Sequence, residues 1–425
     1  MDRLVAVGRA LRSAAPHQLP DALRRVLRTH YAAEAVEFLL ADYGLTVLLP
    51  VPPAPSGSEP VPAQGSAPGR AFGSQQPYVE EPAAGRVRAH LPVTVRGDRL
   101  GVLSLTLPAR SPGPLAELAE LAELLGHEVV VAQRDTDLYV QARRKDRLTL
   151  AAEIQWQLLP ARSCAREEYA LGAQLEPAYA VFGDNFDWAA SADHLMVYVT
   201  NGMGEGIEAS LLTSLGISAL RNARRAGVPV EDQAALADQA IHAHYRGEAH
   251  LSVLLVDIEL STGRMRIVDA GSPRLLLLRE RALSLVDLDA QLPLGMFEET
   301  DYVAQELTLL PGDRLLFVSD GVHGVASPGG ETYGEHALAR AVGNASLLPA
   351  ADVPAAVLRE LTGHRGRPDP DDDALVVCLD WFGKRPTRSG DRPGSTEPAG
   401  TDGPAPTDRH RWALGDDTQD DRNQE

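Results

Sequence analysis

Apolar residues recur along this chain at two spacings, and the change between them marks out the elements. Leu4, Val7 and Leu11, then Leu23, Val26 and Leu27, stand three or four apart, which predicts one or two helices over 4–28. The spacing changes over 37–51, where two apolar runs flank Asp42-Tyr43-Gly44, a sequence suited to a turn between strands. Residues 52–69 are rich in Pro, Ala, Gly and Ser without any period and predict irregular chain. Over 86–107, Val93 and Val95 lead through Gly97-Asp98 into Leu100, Val102 and Leu103, which predicts a hairpin. Helical spacing returns over 115–159 in Leu115, Leu118, Leu121 and Leu125, then Leu138, Leu148, Ile154 and Leu158, until Pro160 stops it.

From 171 to 382 strand and helix patterns alternate. Strands are predicted at 195–199, 251–258, 264–269, 275–278, 314–318 and 374–379, and helices at 207–225, 233–245, 335–342 and 353–361. Such a mix fits two sheets packed face to face with helices outside. The stretch 384–425 is rich in Pro, Gly, Thr, Asp and Arg, with Trp412 as its apolar anchor. It offers too little apolar surface to offset ordering entropy and predicts a disordered tail. The chain therefore divides into a small α/β domain at 1–112, a helical linker at 113–160, a larger α+β domain at 161–383 and a tail at 384–425. The linker's imperfect heptad predicts either a coiled coil joining two copies of the chain or two halves that each pack on their own neighbour.

Bulk properties narrow the class. A chain of 425 residues with 44% hydrophobic positions supports more than one core. Neither a secretory signal nor a run of eighteen apolar residues is apparent, which predicts a cytoplasmic protein with no membrane partner. Cys164 and Cys378 are the only cysteines, too few for a disulfide framework or a thiolate metal site. A net charge of −19 argues against a nucleic-acid partner, which would need a cationic face.

Four short motifs fall at the ends of predicted strands: Gly183-Asp184-Asn185-Phe186-Asp187, Asn201-Gly202-Met203-Gly204, Ser319-Asp320-Gly321 and Asp371-Asp372-Asp373. A single Ser-Asp-Gly or Asp-Asp is ordinarily a turn or a solvated charge pair. Four such elements on strand ends are different, because strands distant in sequence can bring their carboxylates to one point. Clustered oxygen ligands suit Mg²⁺ or Mn²⁺. Two such ions can activate a water and clamp a phosphoryl group, which makes phosphate-ester hydrolysis the indicated chemistry.

The order and strand context of these motifs resemble the metal-dependent protein serine/threonine phosphatases of the PPM family (type 2C), in the bacterial branch related to stage II sporulation protein E. The resemblance covers 144–381 and includes Glu153-Ile154-Gln155, Leu158-Leu159-Pro160, Asp269-Ala270-Gly271-Ser272-Pro273 and Leu292-Pro293-Leu294-Gly295. It implies an α-β-β-α sandwich and two Mn²⁺ or Mg²⁺ ions, with Asp184 and the Gly202 carbonyl on one and Asp320 and Asp372 on the other. Asp187 is either a supporting residue or a cap, and Asp371 and Asp373 are expected to be solvated neighbours. Asn201 stands where the family has an aspartate bridging both metals, and Ser272 where relatives commonly have histidine. The catalytic set is then Asp184, Asn201, Asp320 and Asp372, with one ligand neutral. A second resemblance, carried by Pro68-Gly69-Arg70-Ala71-Phe72 and by Leu91-Pro92-Val93 with Gly101-Val102-Leu103, is to GAF sensor domains and implies a small-molecule ligand at the N-terminus. Together they imply a signalling phosphatase acting on a phosphorylated regulatory protein such as an anti-sigma factor antagonist. The alternative is a weak or inactive pseudophosphatase that binds a partner.

Overall fold

The computed structural model describes residues 3–53, 58–80, 85–108, 115–176, 183–271, 273–367 and 372–384. Alternation of side chains builds the N-terminal sheet. Its strands are β1 (Ala35–Ala41), β2 (Val47–Pro50), β3 (Val61–Pro62), β4 (Tyr78–Glu80), β5 (Arg86–Val95) and β6 (Asp98–Pro108). They pair in the order β3-β2-β1-β6-β5-β4, and every pairing is antiparallel. In β1, Val36, Phe38 and Leu40 face one core while Leu39 and Ala41 face another, as a period of two requires. The first face is covered by α1 (Arg3–Ser13), α2 (Leu19–Tyr31) and α4 (Leu115–Ala132), through Val7, Leu11, Leu23, Leu27, Leu121 and Leu125. The second is covered by α3 (Ala67–Ser74), through Ala71 and Phe72. The expected hairpin is β5–β6, and its turn places Arg96 and Gly97 at φ 52° and 92°, the left-handed conformation that short hairpin turns favour.

The expected linker behaves differently from a free-standing rod. In α4, Leu118, Leu121, Leu125 and Val129 are buried in the N-terminal core, so the apolar stripe that a coiled coil would need is spent on the chain's own sheet. Two shorter helices follow, α5 (Leu138–Ala142) and α6 (Leu150–Leu158). Thr149 caps α6, its hydroxyl accepting from the Ala152 N–H at 3.2 Å.

The remainder is a sandwich of two antiparallel sheets. One contains β7 (Ser163–Ala165), β8 (Tyr169–Glu176), β13 (Arg274–Arg279), β14 (Ala282–Leu285), β16 (Arg314–Val318) and β17 (Ala374–Trp381), in the order β14-β13-β16-β17-β8-β7. The other contains β9 (Asn185–Ala190), β10 (His194–Gly202), β11 (Leu251–Glu259), β12 (Arg264–Ala270) and β15 (Gln305–Thr308), in the order β15-β12-β11-β10-β9. Between them lie Leu171, Leu315, Phe317, Leu375 and Val377 from one sheet against Phe186, Val197, Val199, Leu254 and Val256 from the other. Outside the second sheet, α7 (Gly206–Arg225) and α8 (Val230–Tyr245) close a further core around Leu220, Ile241 and Leu255. Outside the first, α10 (Leu338–Asn344) and α11 (Val353–Arg365) do the same around Leu316, Val357 and Val376, with the one-turn α9 (Asp320–His323) between β16 and α10. The layering is α-β-β-α. The tail expected to be disordered lies outside the described residues. Among the described residues no helix is long and apolar enough to cross a membrane.

Candidate functional site

The strand ends meet at the seam between the two sheets. In the register of β9 with β10, Thr200 lies opposite Asn185, so the start of β9 and the end of β10 share one edge. In the other sheet Val318 lies opposite Val376, which brings the end of β16 to the start of β17. Asp184 and Asn201-Gly202 adjoin the first pair directly, and Asp320 and Asp372-Asp373 lie within four residues of the second. A bond across the seam joins the two halves, with Asn201 Nδ2 donating to Asp320 Oδ1 at 2.5 Å. The orientation of the Asn201 amide follows from this partner, because its oxygen would face a carboxylate if the group were turned over.

Two glycines make the approach possible. Gly183 sits at φ 111°, and a Cβ there would lie 2.7 Å from the Gly202 carbonyl oxygen. The Gly202 carbonyl oxygen thus lies close to Gly183, whose own carbonyl accepts from the Gly202 N–H at 3.2 Å and from Thr213 of α7 at 2.8 Å. At Gly321 a Cβ would meet the Asp373 carbonyl oxygen at 1.8 Å, so no other residue fits there without moving β17.

Asp184 is buried, and its Oδ2 has no hydrogen-bond partner among the described residues. Burial pushes its carboxyl well above the ordinary range; the charges of Asp373, Asp320 and Asp372 push it further, against a hydrogen bond from Ser319. Asp372 is exposed, yet partial burial of its carboxyl and the charge of Asp320 raise it too. These shifts identify one electrostatic neighbourhood. It is not a closed coordination shell: among the described residues no three His, Cys, Asp or Glu side chains are placed to hold a metal ion.

Asp373 departs from expectation. It is wholly buried, not solvated, and its Oδ2 accepts from the Gly183 and Asp184 N–H groups at 3.0 and 3.2 Å. Gln155 of α6 completes the support, its Nε2 donating to the Asp184 carbonyl at 2.6 Å and lying 3.5 Å from Asp373 Oδ2. Asp187, one of two readings for which was a supporting role at the site, is instead gripped by Arg221 at 2.7 Å and Arg224 at 2.9 Å, which ties β9 to α7. The two loops expected near the site do reach its edge. Gly271 packs on Ser252, which lies opposite Asn201, and Leu294 bridges to Leu251, which lies opposite Gly202. Ser272 and Asp371 lie outside the described residues.

A family model described as stage II sporulation protein E (SpoIIE) matches residues 191–382. That span contains Asn201, Gly202, Asp320 and Asp372, while Asp184 and Gln155 precede it. Residues 191–382 are thus similar to the SpoIIE family, over somewhat less than half of the chain. Phosphoserine phosphatase RsbU of Bacillus subtilis (strain 168) is 20% identical over 200 residues, which is 47% of this chain and 60% of that protein. The chain therefore matches less than two thirds of that relative's length. Among solved structures, the SiaA-PP2C domain of Pseudomonas aeruginosa is similar at 19% identity, covering 54% of this chain and 94% of that one, with a TM-score of 0.47. The catalytic domain of the serine/threonine protein phosphatase PstP, in complex with two manganese ions, is similar at 19% identity over 50% and 98% of the chains, with a TM-score of 0.36.

Proposed function

We propose that this chain is a metal-dependent protein serine/threonine phosphatase that acts on a phosphorylated regulatory protein. The observation that carries the reading is Asp184: a buried carboxylate with an unmet oxygen, flanked by further carboxylates and held from behind by its own backbone. A buried carboxylate among like charges is costly, and a cation beside it offsets the cost. Asp184, Asp320, Asp372 and the Gly202 carbonyl would hold Mn²⁺ or Mg²⁺. When bound, such an ion lowers the pKa of its water and neutralises charge on the phosphoryl oxygens.

The chain's own residues then divide the work. Asp373 and Gln155 fix the backbone that presents Asp184. Asn201 orients Asp320 through its amide N–H. That bond occupies one oxygen of Asp320 and leaves Asn201 with a single neutral oxygen, so the donor set suits one firmly held ion and a second held weakly. In RsbU the activity is toward phosphoserine, which supports a protein substrate here, with an anti-sigma factor antagonist as the kind of partner. Residues 1–112 serve in this reading as a GAF-like sensor, residues 161–383 as the phosphatase, and the protein works in the cytoplasm.

The test is hydrolysis of a phosphoserine peptide and of an aryl phosphate with and without Mn²⁺, beside Asp320→Ala. Mn²⁺-dependent turnover that is lost in the variant is expected. Turnover indifferent to both the metal and Asp320 would remove the reading.

A further inference from the structure

A cleft of about 870 Å³ lies between the N-terminal sheet, α4–α5 and α6, and none of Asp184, Asn201, Asp320 or Asp372 lines it. Its volume falls in the range of small-molecule sites. Four arginines line it, Arg99, Arg143, Arg144 and Arg162, against three carboxylates, Asp98, Asp137 and Glu153. Two of the four guanidiniums carry an unmet donor: the Nε atoms of Arg99 and Arg144 are buried and have no hydrogen-bond partner among the described residues. One terminal nitrogen of each serves an ion pair, Arg99 with Asp352 and Arg144 with Glu153.

Neither of the other two guanidiniums makes an ion pair among the described residues, although the Arg162 backbone N–H donates to Asp98 at 3.2 Å. Arg143 donates to the Ala41 carbonyl at 3.0 Å and lies over the Tyr43 ring, and Arg162 donates to the Tyr43 carbonyl at 2.5 Å and lies over the Trp156 ring. Burial above all, and then the neighbouring charge of Arg143, pull Arg162 down to about 9, against the charges of Asp98 and Asp42. Leu100, Val130, Val140 and Leu159 supply an apolar wall.

We propose that this cleft binds a small organic phosphate, whose oxygens meet the partly exposed guanidiniums of Arg99, Arg143, Arg144 and Arg162 and whose organic part lies against the apolar wall. A phosphate suits the site better than a monocarboxylate, since three oxygens and up to two charges can meet several guanidiniums together.

The test is calorimetric titration of the full chain in EDTA, which keeps phosphate off any metal, with AMP, adenosine and inorganic pyrophosphate as probes. AMP should bind once per chain, adenosine should not bind, and pyrophosphate should bind at least about tenfold more weakly than AMP. Arg144→Gln should weaken AMP at least about tenfold, the scale of a lost charge-assisted hydrogen bond. Gln133→Trp, at an exposed lining position that makes no ion pair, should weaken AMP similarly by filling the cleft, with an unchanged thermal melt. Asp320→Ala should leave AMP affinity unchanged. No binding of AMP at millimolar concentration, equal binding of pyrophosphate and AMP, or loss of binding in Asp320→Ala with retention in both cleft variants would each overturn the proposal.

Discussion

Replacing Asn201 with aspartate tests the site most directly, because it converts the one neutral member of the cluster into a charged one. In the structure Asn201 donates to Asp320 at 2.5 Å. Asn201→Asp removes that donor and sets two carboxylates face to face. A charge-assisted hydrogen bond contributes about 1.5–3 kcal/mol, and two unit charges about 4 Å apart at an effective dielectric of 20 repel by about 4 kcal/mol. Both positions are partly exposed, so water and partial protonation reduce the sum, and a net loss of about 2–4 kcal/mol without metal is a reasonable magnitude. At about 2–4 °C per kcal/mol for a domain of this size, the metal-free melt should fall by roughly 5–15 °C. Mn²⁺ reverses the sign, since the new oxygen and charge then have a cation to meet. Metal affinity should rise at least about tenfold, judged against the losses that follow when supporting partners of metal ligands are removed, and turnover on a phosphopeptide should rise with it. Calorimetric melts with and without Mn²⁺, together with initial rates, give all three readings. If the variant melts like the parent in both conditions and its turnover is unchanged, the Asn201–Asp320 pair is not part of the working site, and a partner-binding role without hydrolysis takes first place.

Asp373→Asn keeps one acceptor but loses the charge that two backbone N–H groups share; it should lower metal affinity about 10- to 100-fold with little change in fold, as loss of ligand support does elsewhere, measured by Mn²⁺ titration. Gly321→Ala places a Cβ 1.8 Å from the Asp373 carbonyl oxygen, so denaturant melts should show a loss of about 3 kcal/mol or more from overpacking and backbone shift. His90 is buried between Ser104 and Glu80, and burial lowers it from its ordinary 6.5. The unfolded chain therefore takes up the proton first, so stability is full above pH 6.5 and falls as pH drops below it; thermal melts between pH 7.5 and 5 should show this slope in the parent and a flatter one in His90→Gln.

The ends of strands proved the most legible part of the sequence. The motifs at Asp184, Asn201, Asp320 and Asp372 sit where alternation stops and Gly or Asp begins, and the structure brings all four to one seam. Residues whose role depends on a distant partner were less readable. Nothing local to Asp187 announces Arg221 and Arg224, which approach from α7. Likewise Asp373 looks like one more acidic residue in a run until the chain folds and the Gly183 and Asp184 amides arrive 190 and 189 residues away. The α4 stripe shows a third limit. A row of leucines states that a helix buries one face, and says nothing of whether the covering surface is a second helix or the chain's own sheet.

The position of β17 governs when the site can exist. It pairs on one side with β16 and on the other with β8, although β8 precedes it by most of the domain. A chain emerging from the ribosome can complete the β9–β12 sheet and its two covering helices while β8 still waits for its partner. Only when residues 374–381 dock between strands already made do Asp372 and Asp373 reach the seam and the Asp184 backbone find its acceptor. Such long-range closure is slow to form, and it makes the acidic cluster a late product of folding. A nascent or truncated chain that lacks β17 would carry every upstream motif and still have no assembled site.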